Sequence, residues 1–137
     1  MKKITQEKIA ELLAAAKENP RLRTNYNLHC ELDDPINRLC IAVMPESKFP
    51  VHRHTGKWEL ITVLYGELTS YIYDDNGNVI EKNLLAAGKT VSLELPPGAW
   101  HNLVAHTPAV FLEVKSGPYQ PVPPEDMAPF RGMEPEV

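Results

Sequence analysis

From residue 38 onward, the chain consists of short apolar runs rich in β-branched and aromatic residues and separated by Gly, Pro, Asn and Asp. Such runs are typical of β-strands bounded by turns. The pattern predicts eight strands, at residues 38–44, 51–54, 58–65, 67–73, 78–85, 90–95, 100–106 and 109–115. Because about eight short strands can close a barrel, we expect a mainly β fold with a single β-barrel.

The first twenty residues have a different periodicity. Apolar residues recur there at helical spacing, namely Ile9, Leu12, Leu13 and Ala16. Thr5 is placed to cap a helix and Asn19-Pro20 to end it. The pattern therefore predicts one amphipathic helix within residues 4–19, followed by a polar connection.

Prolines recur after Gly117, at positions 118, 121, 123, 124, 129 and 135. Because proline lacks an amide donor, residues 117–137 are expected to form an extended tail. Met127 and Phe130 could anchor this tail to the barrel or to a second subunit, or the tail could be partly disordered. We expect one domain over residues 1–137, with the helix in 1–20 and the barrel in 38–116.

The composition indicates a folded protein that binds a small molecule. The 137 residues carry a formal net charge of −4, which disfavours binding to nucleic acid. No apolar stretch has the length of a signal peptide or a membrane span, so a cytoplasmic location is expected. In that reducing compartment, Cys30 and Cys40 are expected to be free thiols.

Four side chains have the spacing of a metal site. His52 and His54 lie two apart, so both would project from one face of a strand. Glu59 follows a short turn at residues 55–57, and His101 follows the turn at Pro97-Gly98. A single histidine on a strand is usually structural, but four such residues in one pattern favour the binding of one divalent metal ion.

The same residues resemble the two motifs of the cupin superfamily. The first, H-x-H-x4-E-x6-G, corresponds to His52, His54, Glu59 and Gly66. The second, P-x-G-x2-H-x3-N, corresponds to Pro96, Gly98 and His101, with Ala105 in place of the asparagine. Glu46 stands where a glycine normally opens the first motif. The glycine that opens the second motif is displaced to Gly88. The resemblance implies a cupin jelly-roll barrel, also called a double-stranded β-helix.

A narrower resemblance covers nearly the whole chain. Segments 21–29, 34–39 and 113–119 are similar to those of WbuC-type cupin metalloproteins. That resemblance implies a role linked to bacterial surface-polysaccharide metabolism, with a small polar metabolite such as a sugar or sugar-nucleotide derivative. A metal-dependent isomerase or oxygenase is one interpretation. A non-catalytic, metal-dependent carbohydrate-binding module is the alternative, and a metal-free sugar epimerase, which needs a catalytic histidine with a tyrosine, is disfavoured.

Further residues are candidates for contact with the ligand. They are Arg38, Lys57, Tyr65, Asn27 and His29, together with Trp100 and Asn102. Each also has a structural interpretation: Arg38 could pair with Asp33 or Asp34, and Trp100 could fill the core. His106 is expected to be structural.

The metal itself is left open by the sequence. Three imidazoles and one carboxylate suit Fe, Mn, Ni, Co, Cu or Zn as the divalent ion. The resemblance to cupins implies a homodimer, because small cupins commonly bury barrel faces by pairing, and the tail beyond Gly117 offers an arm for exchange.

Overall fold

The computed structural model describes residues 1–135. Within them lie helix α1, Gln6–Glu18, and a 3-10 helix, Pro124–Asp126. The eight strands β1 to β8 are Arg23–Asn27, Ile36–Val43, Glu59–Tyr65, Leu68–Tyr73, Val79–Leu85, Ser92–Leu95, Trp100–Ala105 and Ala109–Ser116. The expectation of a mainly β chain with one N-terminal α-helix is confirmed.

The strands form two antiparallel sheets that pack on each other. The larger sheet has the order β1-β2-β8-β3-β6, and the smaller has the order β5-β4-β7. The core between them contains side chains from both sheets, among them Val43, Ile61, Phe111, Leu68, Leu85 and Leu103. Alternation along each strand places one set of side chains in this interior and the other set outside.

Helix α1 covers the outer face of the larger sheet. The Thr5 side chain caps the helix by accepting a hydrogen bond from the Lys8 amide. Three buried residues of α1 (Ile9, Leu12 and Ala16) pack against Cys40, Ala42 and Val110. Strand β2 therefore presents Cys40 and Ala42 to the helix, while Val43 faces the interior. Among residues 1–135, no helix is long and apolar enough to cross a membrane.

One predicted strand is wrong and another was missed. Residues 51–54 form no strand: only His52 pairs, through isolated bridges to His101 and Met127. Pro50 precedes this segment and a turn begins at Thr55, so a longer ladder cannot form. Strand β1, which the sequence analysis treated as a polar connection, lies at the edge of the larger sheet, where polar side chains are tolerated.

The two sheets pair separately, so the expected closed barrel is instead a β-sandwich, and the described part of the tail lies against this sandwich. The Ala128 amide donates to the Val51 carbonyl, and Phe130 packs on Tyr73 and Trp100. The buried side chain of Asn102 links these parts. Its amide donates to the Met133 carbonyl at 2.8 Å, and its oxygen accepts from the Tyr73 hydroxyl at 2.7 Å.

We expect Asn102→Ala to lower the free energy of unfolding by about 1–3 kcal/mol, because the buried Tyr73 hydroxyl and the Met133 carbonyl would lose a partner. Urea denaturation measures this change. The control is Asn25→Ala, whose exposed side chain bonds only to Asn27. Equal stability of the two variants would contradict this account of the tail.

Candidate metal centre

The site begins with a pair of backbone hydrogen bonds between His52 and His101. The His52 amide donates to the His101 carbonyl at 3.1 Å, and the His101 amide donates to the His52 carbonyl at 2.9 Å. This antiparallel bridge joins an irregular segment to strand β7. It places the two imidazole rings side by side, with their centroids 4.5 Å apart.

A turn brings the other two residues to the same place. The Lys57 amide donates to the His54 carbonyl, and Gly56 adopts a φ of 76°, which glycine tolerates without strain. The turn leads directly into β3, whose first residue is Glu59. The Gly98 amide also donates to the His54 carbonyl, which ties this turn to the one before His101.

The backbone holds two of the histidines in a tautomer suited to metal binding. Nδ1 of His52 lies 2.9 Å from the Pro50 carbonyl, and Nδ1 of His101 lies 2.8 Å from the Ala99 carbonyl. Because a carbonyl can only accept, each Nδ1 must carry the hydrogen. Nε2 of each ring is then a lone-pair donor, as a metal ligand must be.

The buried acceptors of the site face one another. Oε2 of Glu59 lies 3.0 Å from Nε2 of His101 and 3.7 Å from Nε2 of His54. Oε2 of Glu59 and Nε2 of His54 are buried and have no hydrogen-bond partner within residues 1–135. Unpartnered buried acceptors are costly, and one cation among them would satisfy several at once.

The spacing of the histidines also fits a metal ion. The ligand atoms of His52, His54 and His101 all lie within 4.8 Å of one another. Two nitrogens bound to one ion at about 2.1 Å are at most about 4.2 Å apart, so a small inward shift is sufficient. The three histidines could therefore hold a metal ion.

Burial dominates the proton affinities of the metal-free site. It lowers the pKa of His54, and together with the charge of His101 it lowers the pKa of His52 to about 4. Burial opposes ionisation of Glu59, but a hydrogen bond from Glu113 and the charge of Lys115 favour it, and the pKa of Glu59 is well below its usual range. His52 and His54 are thus kept neutral and Glu59 charged, which are the forms that bind metal.

Glu113 was not identified by the sequence analysis. It lies on β8 opposite Ile61 and is 9% exposed, with Nζ of Lys115 3.5 Å from its Oε2. Burial and the charge of Glu59 raise the pKa of Glu113 well above its usual range. The one available signal was alternation: Phe111 faces the core, so Glu113, two residues later, shares its face.

A cavity of about 270 Å³ adjoins the site. Three metal-site residues line it, namely His52, Glu59 and His101, together with Glu113, Lys115 and Asn102. Apolar walls come from both sheets and the tail, including Ile41, Phe49, Phe111, Val122 and Met127. Arg21 and Arg23, which the sequence analysis also did not single out, line the same cavity.

Of the seven candidate ligand contacts, only Asn102 lines this cavity. Arg38 lies on the helix side of β2 and pairs with Asp34 at 3.7 Å. Tyr65 is exposed at the far end of β3, about 20 Å along the strand from Glu59. Asn27 bonds to Asn25. His29 is buried, and its Nδ1 accepts from the Arg38 amide.

The remaining candidates have structural contacts. Lys57 lies near His54 and donates to the Pro118 carbonyl at 3.4 Å. Trp100 donates to Asp75 and stacks under the guanidinium of Arg53. His106 bonds to the Thr69 hydroxyl, in agreement with its expected structural role. Cys30 and Cys40 are free thiols.

Solved structures with similar folds include cupins. The protein TT1209 from Thermus thermophilus has 22% identity and a TM-score of 0.61, over 85% of this chain and 97% of that one. KdgF from Halomonas sp. has 16% identity and a TM-score of 0.57, over 75% and 85%. A cupin superfamily protein from Desulfitobacterium hafniense DCB-2 has 15% identity and a TM-score of 0.55, over 69% and 76%. The chain therefore has a cupin-like β-sandwich fold.

A match to a protein family is more specific than the likeness in fold. Residues 4–85, more than half of the chain, match the family described as "Domain of unknown function (DUF6016)". The chain belongs to this family. No curated protein matches it.

The pKa of His52 predicts how metal-free protein responds to acid. Its folded-state pKa of about 4 is below the ordinary value of 6.5, so the unfolded chain takes up the proton first. The contribution of His52 to the free energy of unfolding is fully present above about pH 6.5, and about 3 kcal/mol of it is lost as the pH falls toward 4. Urea denaturation of the chelator-treated protein across this range should show a smaller loss for His52→Gln than for the wild type.

The matched control is His106→Gln, which changes an exposed histidine outside the site. We expect this variant to keep the wild-type pH dependence. If His52→Gln did the same, the neutral buried state assigned to His52 would be wrong.

Proposed function

We propose that His52, His54, Glu59 and His101 bind one divalent transition metal, and that the adjoining cavity holds a small polar metabolite. The observation that carries this proposal is the 3.0 Å approach of Oε2 of Glu59 to Nε2 of His101. In a neutral ring with the His101 hydrogen on Nδ1, both atoms are acceptors, and a metal cation bound beside them would satisfy the carboxylate and the lone pair together.

The donor set is compatible with Fe, Mn, Ni, Co, Cu or Zn. Such an ion would supply Lewis-acid polarisation or activation of water and, in the case of iron, a binding position for dioxygen. Three imidazoles and one carboxylate fill four positions, so an octahedral ion would leave about two for water or ligand.

The residues of the chain prepare the site in several ways. Hydrogen bonds to the Pro50 and Ala99 carbonyls orient the rings of His52 and His101. The carboxyl group of Glu113 bonds to Glu59 and keeps that carboxylate directed at the histidines. Apolar walls such as Phe49 and Phe111 limit the water in the cavity, which strengthens electrostatic interactions with a bound ligand.

The resemblance to WbuC-type proteins supports a sugar or sugar-nucleotide derivative as the metabolite, in surface-polysaccharide metabolism. The size of the cavity favours a sugar-sized group. At about 270 Å³ it lies just below the range of about 300–1,000 Å³ for small-molecule sites. Isomerase or oxygenase chemistry is the catalytic form of the proposal, and turnover that requires the metal distinguishes it from a non-catalytic binding module.

The metal-free epimerase interpretation has less support. It requires a tyrosine beside a catalytic histidine, and no tyrosine of residues 1–135 lines the cavity. Tyr73, which lies near Asn102, donates its hydroxyl to that residue and accepts from the Met133 amide.

A homodimer and a cytoplasmic location complete the proposal. The two free thiols are compatible with a reducing compartment. The contacts of Met127 and Phe130 with the β-sandwich of their own chain argue against the tail as an exchanged arm, so a dimer would use another surface. Light scattering of the purified protein tests the dimer.

Protein purified without chelator or an affinity-tag metal should contain close to one transition-metal ion per chain by elemental analysis. The double variant His52→Ala/His101→Ala should contain almost none, because the loss of even a residue that only orients a ligand costs about 10–100-fold in affinity. His106→Ala is the matched control and should retain the metal. Metal-free wild-type protein that also fails to take up metal on reconstitution would refute the proposed centre.

Glu59→Gln separates the charge of the carboxylate from its shape. We expect metal affinity to fall at least about tenfold, because an amide oxygen is a weaker ligand and carries no charge. Competition with a chelator of known affinity measures the change. Unchanged affinity would remove Glu59 from the ligand set and leave the three histidines.

A further inference from the structure

Two arginines of the cavity have no acidic partner. Of the five arginines in the chain, Arg38, Arg53 and Arg131 pair with Asp34, Asp126 and Glu134. Within residues 1–135, neither Arg21 nor Arg23 forms a salt bridge, although both line the cavity that contains the metal-site residues. Both arginines without an acidic partner in residues 1–135 thus line the cavity where a ligand is proposed to bind.

Arg23 is held in place from within the fold. It pairs with Val43 across β1 and β2, and Val43 faces the core, so Arg23 lies on the inner face of the sheet. Its guanidinium stacks on the Phe49 ring at 4.5 Å, and Nη1 donates to the Lys48 carbonyl at 2.9 Å and to Ser47 at 3.3 Å. The other nitrogens of its side chain have no bond to residues 1–135, so a preorganised donor edge remains available for an anion.

The two guanidinium groups are also close enough to influence each other. Burial, with a further contribution from the charge of Arg21, lowers the pKa of Arg23. An anion bound beside both guanidinium groups would offset the repulsion between them. Lys115 is a third cation in the lining. Unlike the two arginines it has an acidic partner, because its Nζ lies 3.5 Å from Oε2 of Glu113.

The volume limits how large the anion is. The cavity has a volume of about 270 Å³, just below the range of about 300–1,000 Å³ that is typical of small-molecule sites. A monosaccharide-sized molecule fits such a space, whereas a nucleotide would lie largely outside it.

We propose that the cavity takes a small anionic metabolite of about monosaccharide size, whose carboxylate or phosphate group binds Arg21 and Arg23 while its other polar groups face the metal-site residues. This inference rests on the proposed function and narrows its substrate class. The arginines supply orientation and selectivity, because a guanidinium presents a planar set of donors that matches either anionic group.

Calorimetric titration of the zinc-loaded protein tests the inference with D-glucuronate, D-glucose 6-phosphate and neutral D-glucose as probes. We expect at least one anion to bind at least about tenfold more tightly than glucose, and its binding to weaken as salt is added. The better of the two anions identifies the group as carboxylate or phosphate. Equal binding of all three probes, or no binding of either anion up to millimolar concentrations, would overturn the inference.

Variants locate the effect. Arg21→Gln alters an exposed side chain with no hydrogen bond to residues 1–135, so it should fold normally and weaken anion binding, and Arg21→Gln/Arg23→Gln should abolish the preference over glucose. If the double variant is unstable, Arg23→Lys replaces it, because lysine keeps the positive charge but lacks the planar set of donors of the guanidinium group. The control is Arg131→Gln, which lies outside the cavity. Unchanged affinity in Arg21→Gln and the double variant would overturn the inference.

The zinc content is measured on every sample, so that a failure of the proposed metal centre can be distinguished from a failure of the proposed anion site. Full zinc content without a preference for anions rejects the arginine pair and leaves the metal centre in place. A preference for anions in protein that takes up neither zinc nor any other transition metal supports the arginine pair and rejects the metal centre.

Discussion

The two backbone hydrogen bonds between His52 and His101 are the constraint on which the rest of the site depends. The segment that carries His52 and His54 is not a strand, so it lacks a ladder of its own. It is held instead between β7 on one side and the tail on the other, where Ala128 donates to Val51 and Arg53 donates to Asp126. Because its backbone is satisfied from both sides, this irregular segment can hold two imidazoles at a defined place.

The buried polar groups of the site lower the stability of the fold. Glu59 and His101 are only 3% and 5% exposed, and their facing atoms are both acceptors in the tautomer that the backbone enforces. A hydrophobic pair would stabilise this part of the core more effectively. Buried acceptors that do not satisfy each other are most readily explained by function, since local energetic conflict in folded proteins is concentrated at functional sites.

The metal-site residues and the arginines come from different parts of the chain. His101 and Glu59 belong to strands of the sandwich, whereas Arg21 lies between the helix and β1, and Val122 and Met127 belong to the tail. Similar folds can therefore share the central arrangement while their added segments shape different cavities. The helix covers the outer face of the larger sheet, and Arg38 lies on that face, away from the cavity. Arg23 pairs with Val43 and therefore lies on the inner face, toward the cavity.

The sequence by itself was sufficient for the helix, for most of the strands and for the grouping of His52, His54, Glu59 and His101. These features depend on short-range periodicity and on motif spacing, both of which are visible along the chain. It did not reveal that residues 51–54 form only a bridge, because that depends on the tail and on β7. Only the tertiary structure brought Glu113 against Glu59 and placed Arg21 and Arg23 in the cavity, since side chains distant in sequence meet there through strand register and sheet packing, which leave no local pattern.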